Sequence, residues 1–296
     1  MRVAVAQIKP YLADVEKNLK KHISFIKEAK KRGAELVVFP ELSLTGYDLR
    51  DMVFEVALPL ESDELSELKK VSKEEDISIV VGFIEESVEY KFHIASAYIE
   101  DGKILHVHRK AYLPTYGMFE EQRYAARGNR IKAFNTKFGR MAILICEDMW
   151  HPSAAYVAVC DGAVYLLAVA CSPSKGVYTP KLASSDIWEN FIRTYSELYG
   201  VYTIFSNRVG TENGLIFWGG SEVHSPLGNV KKASYFEEEL LITDADIDDV
   251  RVARINLPIF RDERLDMTLR ELQRIVAQRE KLEGFVNFID VLKKHF

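Results

Sequence analysis

Met141-Ala142-Ile143-Leu144-Ile145-Cys146-Glu147-Asp148-Met149-Trp150 is the stretch from which the rest of the chain is read. An apolar run leads into a cysteine, and two acids follow at once. A short run of this kind reads as a buried strand. The acids, with Pro152 and Ser153 beyond, read as a turn opening a helix. A cysteine at such a junction faces backbone N–H groups that can hold a developing oxyanion. Glu147 and Asp148 complicate this, because neighbouring negative charge disfavours a thiolate. A reactive Cys146 therefore requires a cation and a base from elsewhere in the chain. Without them it is a packed core thiol, as free cysteines commonly are.

The bulk composition narrows the setting. With 296 residues, 48% of them hydrophobic, the chain can bury a large core. A net charge of −5 without a basic stripe argues against nucleic acid as a partner. Three cysteines, an odd number, fit a reducing compartment better than a disulfide framework, so a cytoplasmic protein is expected. Met1 to Gln7 reads as a strand rather than a signal peptide. No apolar run reaches the roughly 18 residues of a membrane helix, so no membrane association is expected.

In chain order, Val3–Ile8 reads as a strand, followed by a helix capped by Asp14, with Leu19, Ile23 and Ile26 on one face and Gly33 closing it. Leu36–Phe39 is a second strand, ending at Pro40-Glu41. Ser62–Glu75 is amphipathic, and Ile77–Ile84 is a third strand. Ile94–Ile99 and Lys103–Val107 flank Asp101-Gly102, a hairpin signal, and Arg109-Lys110 ends the second arm. Ala111–Gly128 is a long irregular stretch of the kind that is functional or disordered, and its aromatics favour order. Ser153–Cys160 reads as a helix, Ala163–Val169 as a strand ending at Cys171-Ser172-Pro173, Asp186–Tyr199 as a helix and Val201–Phe205 as a strand. Ser221–His224 and Val230–Ala233 pair across Leu227-Gly228-Asn229. Leu240–Ile242 leads to Asp244-Ala245-Asp246 and a helical turn. Val250–Pro258 is expected to be extended, and Leu269–Phe296 to be a helical tail with an exposed apolar side. Strands alternating with helices, with hairpins between, suggest mixed sheets covered by helices.

Glu41, Lys110 and Cys146 thus all stand at strand ends, where sites collect in layered folds. Singly, Glu41 is a capping acid and Lys110 a surface lysine. Together they meet the demand that Cys146 makes. An ammonium lowers the thiol pKa and balances an oxyanion, and an enclosed carboxylate can take the thiol proton and return it to a leaving amine. Glu121, in the long loop, is a second acid able to divide such roles. His106 and His108 stand two apart on one strand, but no ligand partner stands at metal spacing. Cys171 ends a strand without the flanks of Cys146. Cys160 reads as core, and Trp150 and Trp218 as packing or pocket wall.

These residues carry a resemblance to the nitrilase superfamily of carbon–nitrogen hydrolases. It includes Val5-Ala6-Gln7, Phe39-Pro40-Glu41 with Leu44-Thr45-Gly46-Tyr47, His108-Arg109-Lys110, Leu113 to Glu121 with Arg123-Tyr124, and Ile145 to Trp150. Further on it includes Ser206-Asn207, Val209-Gly210, Gly219-Gly220-Ser221 and Arg254 to Pro258. The resemblance implies an α/β fold, a four-layer α-β-β-α sandwich, over residues 1–265, with 266–296 a C-terminal tail in subunit contact and the protein a homodimer or higher homo-oligomer. It implies Cys146 as nucleophile and Glu41 as base. Lys110, with the Glu147 N–H, would face the tetrahedral intermediate, and Glu121 would position Lys110 or substrate. No metal and no cofactor are implied. Tyr116-Gly-x-Phe119 and Cys146-Glu-Asp-x-Trp150 look like the glutaminase domains of glutamine-dependent NAD synthetases. There Tyr116, Glu147 and Ser172 would bind substrate, the carboxylate of Glu147 pairing with an α-ammonium. Ala111-Tyr112, Ala125, Ala170-Cys171 and Thr211 to Gly214 depart from that pattern. The expected reaction is hydrolysis of a small ω-amide such as glutamine, through a thioester with release of ammonia. The alternatives are a nitrilase, an N-carbamoyl amidohydrolase, an ammonia-supplying subunit of a separate synthetase, or an inactive scaffold.

Overall fold

Strands that are apolar along their whole length need cover on both faces, and the chain provides it by stacking two sheets between helices. The structure, a computed structural model, describes residues 1–174 and 183–279. The first half runs β1 (Arg2–Gln7), α1 (Val15–Lys31), β2 (Leu36–Val38), α2 (Val53–Val56), α3 (Asp63–Glu74), β3 (Ser78–Glu86), β4 (Phe92–Glu100), β5 (Lys103–Arg109) and the single turn α4 (Glu121–Tyr124). The second runs β6 (Phe134–Thr136), β7 (Gly139–Ile145), α5 (Glu147–Trp150), α6 (Pro152–Cys160), β8 (Tyr165–Ala170), α7 (Ala183–Tyr199) and β9 (Tyr202–Asn207). The hairpin β10 (Val209–Glu212) and β11 (Leu215–Trp218) follows, then β12 (Glu222–His224), β13 (Val230–Lys232), β14 (Glu239–Asp244) and α8 (Ile247–Asn256).

One sheet has the order β14-β1-β2-β3-β4-β5 and the other β13-β12-β9-β8-β7-β6. β1 packs against β9, and β4 and β5 against β7, so the sheets face each other. α1 and α3 cover the outside of the first sheet, α6 and α7 that of the second. This is the α-β-β-α sandwich. β8 shows why its strands read as unbroken apolar runs: every residue from Tyr165 to Ala170 is buried.

Topology decides which ends meet. β1, β2 and β3 are parallel, and the antiparallel pairs β3–β4 and β4–β5 return β5 to their direction. The chain therefore leaves β2 toward Glu41 and β5 toward Lys110 at the same edge. In the second sheet β7, β8 and β9 are parallel, so Cys146 and Cys171 also share an edge. Local signals behave as read. The Asp14 side chain accepts from Lys17 N at 3.1 Å to cap α1, and Asp101 and Gly102 both adopt positive φ in the β4–β5 turn.

Val250–Pro258 corrects the sequence reading, because most of it is helix rather than extended chain. Its β-branched Val250, Val252 and Ile255 favour a strand locally. Asp246 overrides them by capping the helix, accepting from Asp248 N at 3.1 Å. Val250 and Ala253, three apart, then bury one face of α8. Several short elements also escaped the periodicity: α2, β6, the β10–β11 hairpin, and the turn α4 inside the long 111–128 stretch.

Residues Met1–Leu257 form one compact unit and Pro258–Phe296 a second. The described part of the second has a 3₁₀ turn at Pro258–Phe260 and a helix over 265–279, on which Leu265, Leu269, Leu272 and Val276 are exposed. The remainder of the expected helical tail, to Phe296, lies outside the described residues. No described helix is long and apolar enough to cross a membrane.

One glycine fixes how Glu41 is presented. A Cβ on Gly82 of β3 would stand 2.5 Å from Leu42 N and 2.7 Å from Pro40 O. The strand end carrying Glu41 therefore lies directly on bare backbone. Gly82→Ala is expected to lose about 1–3 kcal/mol by overpacking and to reduce activity by moving Glu41. Thermal melts and turnover check this, and unchanged values in both would show that the contact has slack.

Candidate active site

The sharpest local feature is Cys146 itself. It follows β7 directly and takes φ 47° and ψ −98°, a conformation that a non-glycine residue adopts only when its surroundings impose it. Its N–H donates to Val169 O at 2.9 Å, and its carbonyl accepts from Met149 N at 3.0 Å. The sulfur is thus turned out of the sheet at the start of α5, as the strand-to-turn reading expects.

Lys110 is fully buried, and its Nζ lies 2.7 Å from Glu41 Oε1 and 2.8 Å from Glu121 Oε1. The other Glu41 oxygen accepts from Cys171 N at 2.7 Å. Glu121 Oε1 also accepts from the Tyr47 hydroxyl at 2.8 Å. Three strand ends and the long loop therefore converge. Glu41, Lys110 and Glu121 are brought together, and all three charges act on the Cys146 thiol.

The charge balance sets the resting state. Burial works against the Lys110 ammonium, but Glu121 and Glu41 override it and hold its pKa well above the usual lysine range. Burial, followed by the charge of Glu41, pushes the Cys146 thiol well above its ordinary value despite Lys110. The thiol is therefore neutral at rest, and it would need a base to take its proton before it could act as a nucleophile. Burial, aided by Glu41 and opposed by Lys110, pushes the Glu121 carboxyl up to about 7.

The two acids after the cysteine have separate environments. Asp148 turns away from the sulfur and is fully buried. Its Oδ1 accepts from Ala111 N and Tyr112 N, each at 3.0 Å, and its Oδ2 from Ile145 N at 3.0 Å. His108 Nε2 stands 2.7 Å from the same Oδ2. Asp148 thus ties the chain on both sides of Lys110 to the Cys146 turn. Sequence reasoning missed this role. The signal was an acid two residues beyond the cysteine and a histidine two before the lysine. His106 stacks on Phe134 instead, and no group of three or more metal-binding side chains occurs among the described residues.

Glu147 stays at the cleft. The Tyr116 hydroxyl donates to its carboxylate at 3.0 and 3.1 Å, and His151 Nε2 lies 3.9 Å from Oε1. His151 is stacked on Tyr112. Ser172 lines the same cleft as Cys146, Tyr116 and Glu147. Its Oγ accepts from Trp188 Nε1 at 3.0 Å and Trp218 Nε1 at 3.3 Å, and its N–H donates to Asn207 Oδ1 at 2.9 Å. Trp150 lies edge-on to Trp188 in the same wall. The three residues expected to bind substrate are therefore neighbours. Cys171 is buried, with its Sγ donating to Glu41 O at 3.0 Å, and Cys160 is half-buried.

Two outcomes are expected. Asp148→Ala strands four donors at about 1–3 kcal/mol each when buried, so a loss of about 3 kcal/mol or more and of activity is expected in melts and assays. Parent-like melting would remove the latch. The Glu121 carboxyl, about 7 when folded against an ordinary 4.5, keeps a proton that the unfolded chain releases. Its contribution to stability is therefore greatest below pH 4.5 and shrinks as pH rises through 7. The melting temperature of Glu121→Gln relative to the parent is expected to rise across that interval, and a flat difference would place the carboxyl in its normal range.

Comparison with known proteins gives the family and the fold. The carbon-nitrogen hydrolase family model matches residues 2–255. A glutamine-dependent NAD(+) synthetase of Thermotoga maritima is 33% identical over 261 residues, covering 86% of this chain and 44% of that protein. The chain thus spans less than half the length of that relative. A nitrilase of Pyrococcus abyssi is 32% identical over 279 residues, covering 91% of this chain and 100% of that protein. An N-carbamoylputrescine amidase of Oryza sativa is 30% identical over 284 residues, covering 90% and 93%. Among solved structures, glutamine-dependent NAD+ synthetase from Acinetobacter baumannii has a TM-score of 0.74 at 28% identity, covering 84% of this chain and 46% of that one. The fold is also that of a carbon-nitrogen hydrolase from Helicobacter pylori, with a TM-score of 0.85 at 24% identity, covering 92% and 98%. With the sandwich and a buried Glu-Lys-Glu cluster beside a strained cysteine, the family match identifies this chain as a member of the carbon-nitrogen hydrolase family.

Proposed function

We propose that this hydrolase of carbon–nitrogen bonds cleaves a small ω-amide, glutamine or a close relative, through a Cys146 thioester. The observation that carries the reading is Lys110, buried between Glu41 and Glu121 at 2.7 and 2.8 Å, with Cys146 within reach of their charges. Glu41 takes the proton of the neutral thiol as sulfur attacks the amide carbon. Lys110 and the Glu147 N–H balance the oxyanion. Glu41 then returns its proton to the leaving nitrogen, the C–N bond breaks and ammonia departs. Water, deprotonated by the same carboxylate, hydrolyses the thioester and restores the thiol. Glu121, bridged to Tyr47, holds Lys110 in place.

The cleft side of the reading rests on Glu147. Its carboxylate accepts from Tyr116, and among the described residues no basic side chain stands closer than His151, at 3.9 Å. An α-ammonium would complete that pairing, with Ser172 as a further polar contact. The likeness to the synthetases over 86% of this chain supports a glutamine-type substrate. The match to an amidase and a nitrilase over nearly their full lengths supports a reaction that needs no second catalytic domain. A separate ammonia-consuming synthetase as partner, and assembly as a homo-oligomer through the second unit, belong to the same proposal.

Ammonia release from glutamine, other ω-amides, simple amides, nitriles and carbamoyl amines tests it. Cys146→Ala is expected to lose about 10³-fold or more in kcat with the fold retained, as removal of a nucleophile does. Retained turnover would move the nucleophile to Cys171. Glu147→Gln is expected to raise KM for substrates with an α-ammonium more than for simple amides, and equal effects would remove the ammonium pocket.

A further inference from the structure

The β10–β11 hairpin grips the loop that follows Glu41. Glu212, at the end of β10, is buried, and its Oε1 accepts from Tyr47 N at 2.8 Å and Asp48 N at 2.6 Å. Its Oε2 accepts from Arg208 Nη1 at 2.7 Å. Asn213 Nδ2 donates to Asp48 Oδ2 at 2.9 Å, on the same side of the loop. Arg208 is fully buried and lies over the Phe217 ring, 4.2 Å from its centre. The same ring stands edge-on to Tyr47. The Tyr47 hydroxyl in turn donates to Glu121 Oε1, the oxygen that also takes Lys110 Nζ, each at 2.8 Å. A continuous line of contacts thus runs from a buried ion pair at the hairpin to the Lys110 ammonium. Glu212 and Asn213 belong to Thr211–Gly214, a stretch that departs from the glutaminase pattern and has no part in the mechanism above. Burying an ion pair costs desolvation of both charges. In return, a charged acceptor holds the Tyr47 and Asp48 N–H groups more firmly than a neutral one does.

We propose that Glu212, paired with Arg208, is a positioning residue for the reaction: by fixing the Tyr47 backbone it keeps the phenol hydroxyl on Glu121, and so keeps that carboxylate charged beside Lys110. The inference rests on the thioester mechanism above. The titratable groups facing Glu121 are Lys110, Glu41, Tyr47 and Cys146. Around the cavity beyond it stand Asp48, Arg50, Glu120 and Tyr124. Burial and Glu41 favour the protonated carboxyl, whereas Lys110 and the Tyr47 hydrogen bond favour the ionised one. Burial holds the Tyr47 phenol well above its ordinary range, so the hydroxyl stays a donor. With a midpoint of about 7 the balance is close, and loss of one donor tips Glu121 toward its neutral form at neutral pH. Lys110 is then left to Glu41 alone. A carboxylate that carries the whole of the ammonium charge is a weaker base, and Glu41 is the base the mechanism needs for the thiol proton.

The test follows the charge of Glu121 directly, in infrared difference spectra, as the protonated-carboxyl band that Glu121→Gln lacks. Tyr47→Phe deletes the hydroxyl and keeps the ring. Glu212→Asp keeps a charge for Arg208 and draws the acceptor back from Tyr47 N. Arg208→Lys serves in its place if Glu212→Asp fails to fold. The parent midpoint is about 7, and Tyr47→Phe is expected to raise it by about one pH unit or more, the worth of a hydrogen bond to a charged group. Glu212→Asp is expected to raise it by less. In the Tyr47→Phe/Glu212→Asp double variant the midpoint is expected to stand where Tyr47→Phe alone puts it, because Glu212 acts through that hydroxyl. The acid limb of kcat/KM for ammonia release from glutamine is expected to move with the midpoint in each variant. An unchanged midpoint in folded Tyr47→Phe would overturn the proposal. So would additive shifts in the double variant, or a lowered melting temperature in Glu212→Asp with the midpoint in place, which is what a purely structural Glu212 gives. Midpoints that move as expected while no amide acylates Cys146 would overturn the thioester mechanism and leave the line from Glu212 to Glu121 standing.

Discussion

The Lys110 ammonium, sealed from water between two carboxylates, is the constraint on which the rest of the site depends. An unpaired ammonium in the interior would be prohibitively costly, and pairing it repays that cost only with close geometry. Glu41 and Glu121 supply that geometry at 2.7 and 2.8 Å. Two carboxylates outnumber one ammonium, and the excess negative charge acts on the nearby thiol together with burial. Cys146 therefore rests protonated, so the proposed chemistry begins with a proton transfer rather than with a stored thiolate. The same arithmetic raises the Glu121 carboxyl to about 7. A single buried cation thus sets the protonation states around it.

Holding such a cluster demands rigid supports from both sheets, and each support is a backbone device. Bare backbone at Gly82 lets the 40–42 segment lie flat against β3. The N–H of Cys171, at the end of β8, reaches across from the other sheet to fix the second oxygen of Glu41. Asp148 joins the segment around Lys110 to the Cys146 turn through three backbone N–H groups and His108. These links join the two edges at which the topology leaves the strand ends. They also offset the strain of a cysteine held at φ 47°.

The long loop then divides the space around the cluster. One side is a narrow cleft with Cys146, Glu147, Tyr116 and Ser172, and the other a roomier cavity beyond Glu121 whose walls mix Leu42, Leu49 and Ile94 with Asp48, Arg50 and Glu120. Two relatives matched along nearly their full lengths bear the names of different activities, an amidase and a nitrilase, as a shared fold allows.

The sequence by itself determined the strands, because residues buried on both faces leave unbroken apolar runs, and it determined the candidates Glu41, Lys110 and Cys146, because each carries chemistry where such a run stops. It misread Val250–Pro258, where β-branched residues spoke for a strand and the Asp246 cap prevailed. Only the tertiary structure decided that the three candidates meet, since parallel strands in two stacked sheets bring together ends that lie 69 residues apart for Glu41 and Lys110. It alone separated Glu147 from Asp148, which adjacency in the chain presents as equal neighbours of the thiol. Adjacency fixes how far a side chain lies along the backbone, whereas its partners depend on which way the turn rotates it. That rotation is set by hydrogen bonds from segments more than thirty residues away.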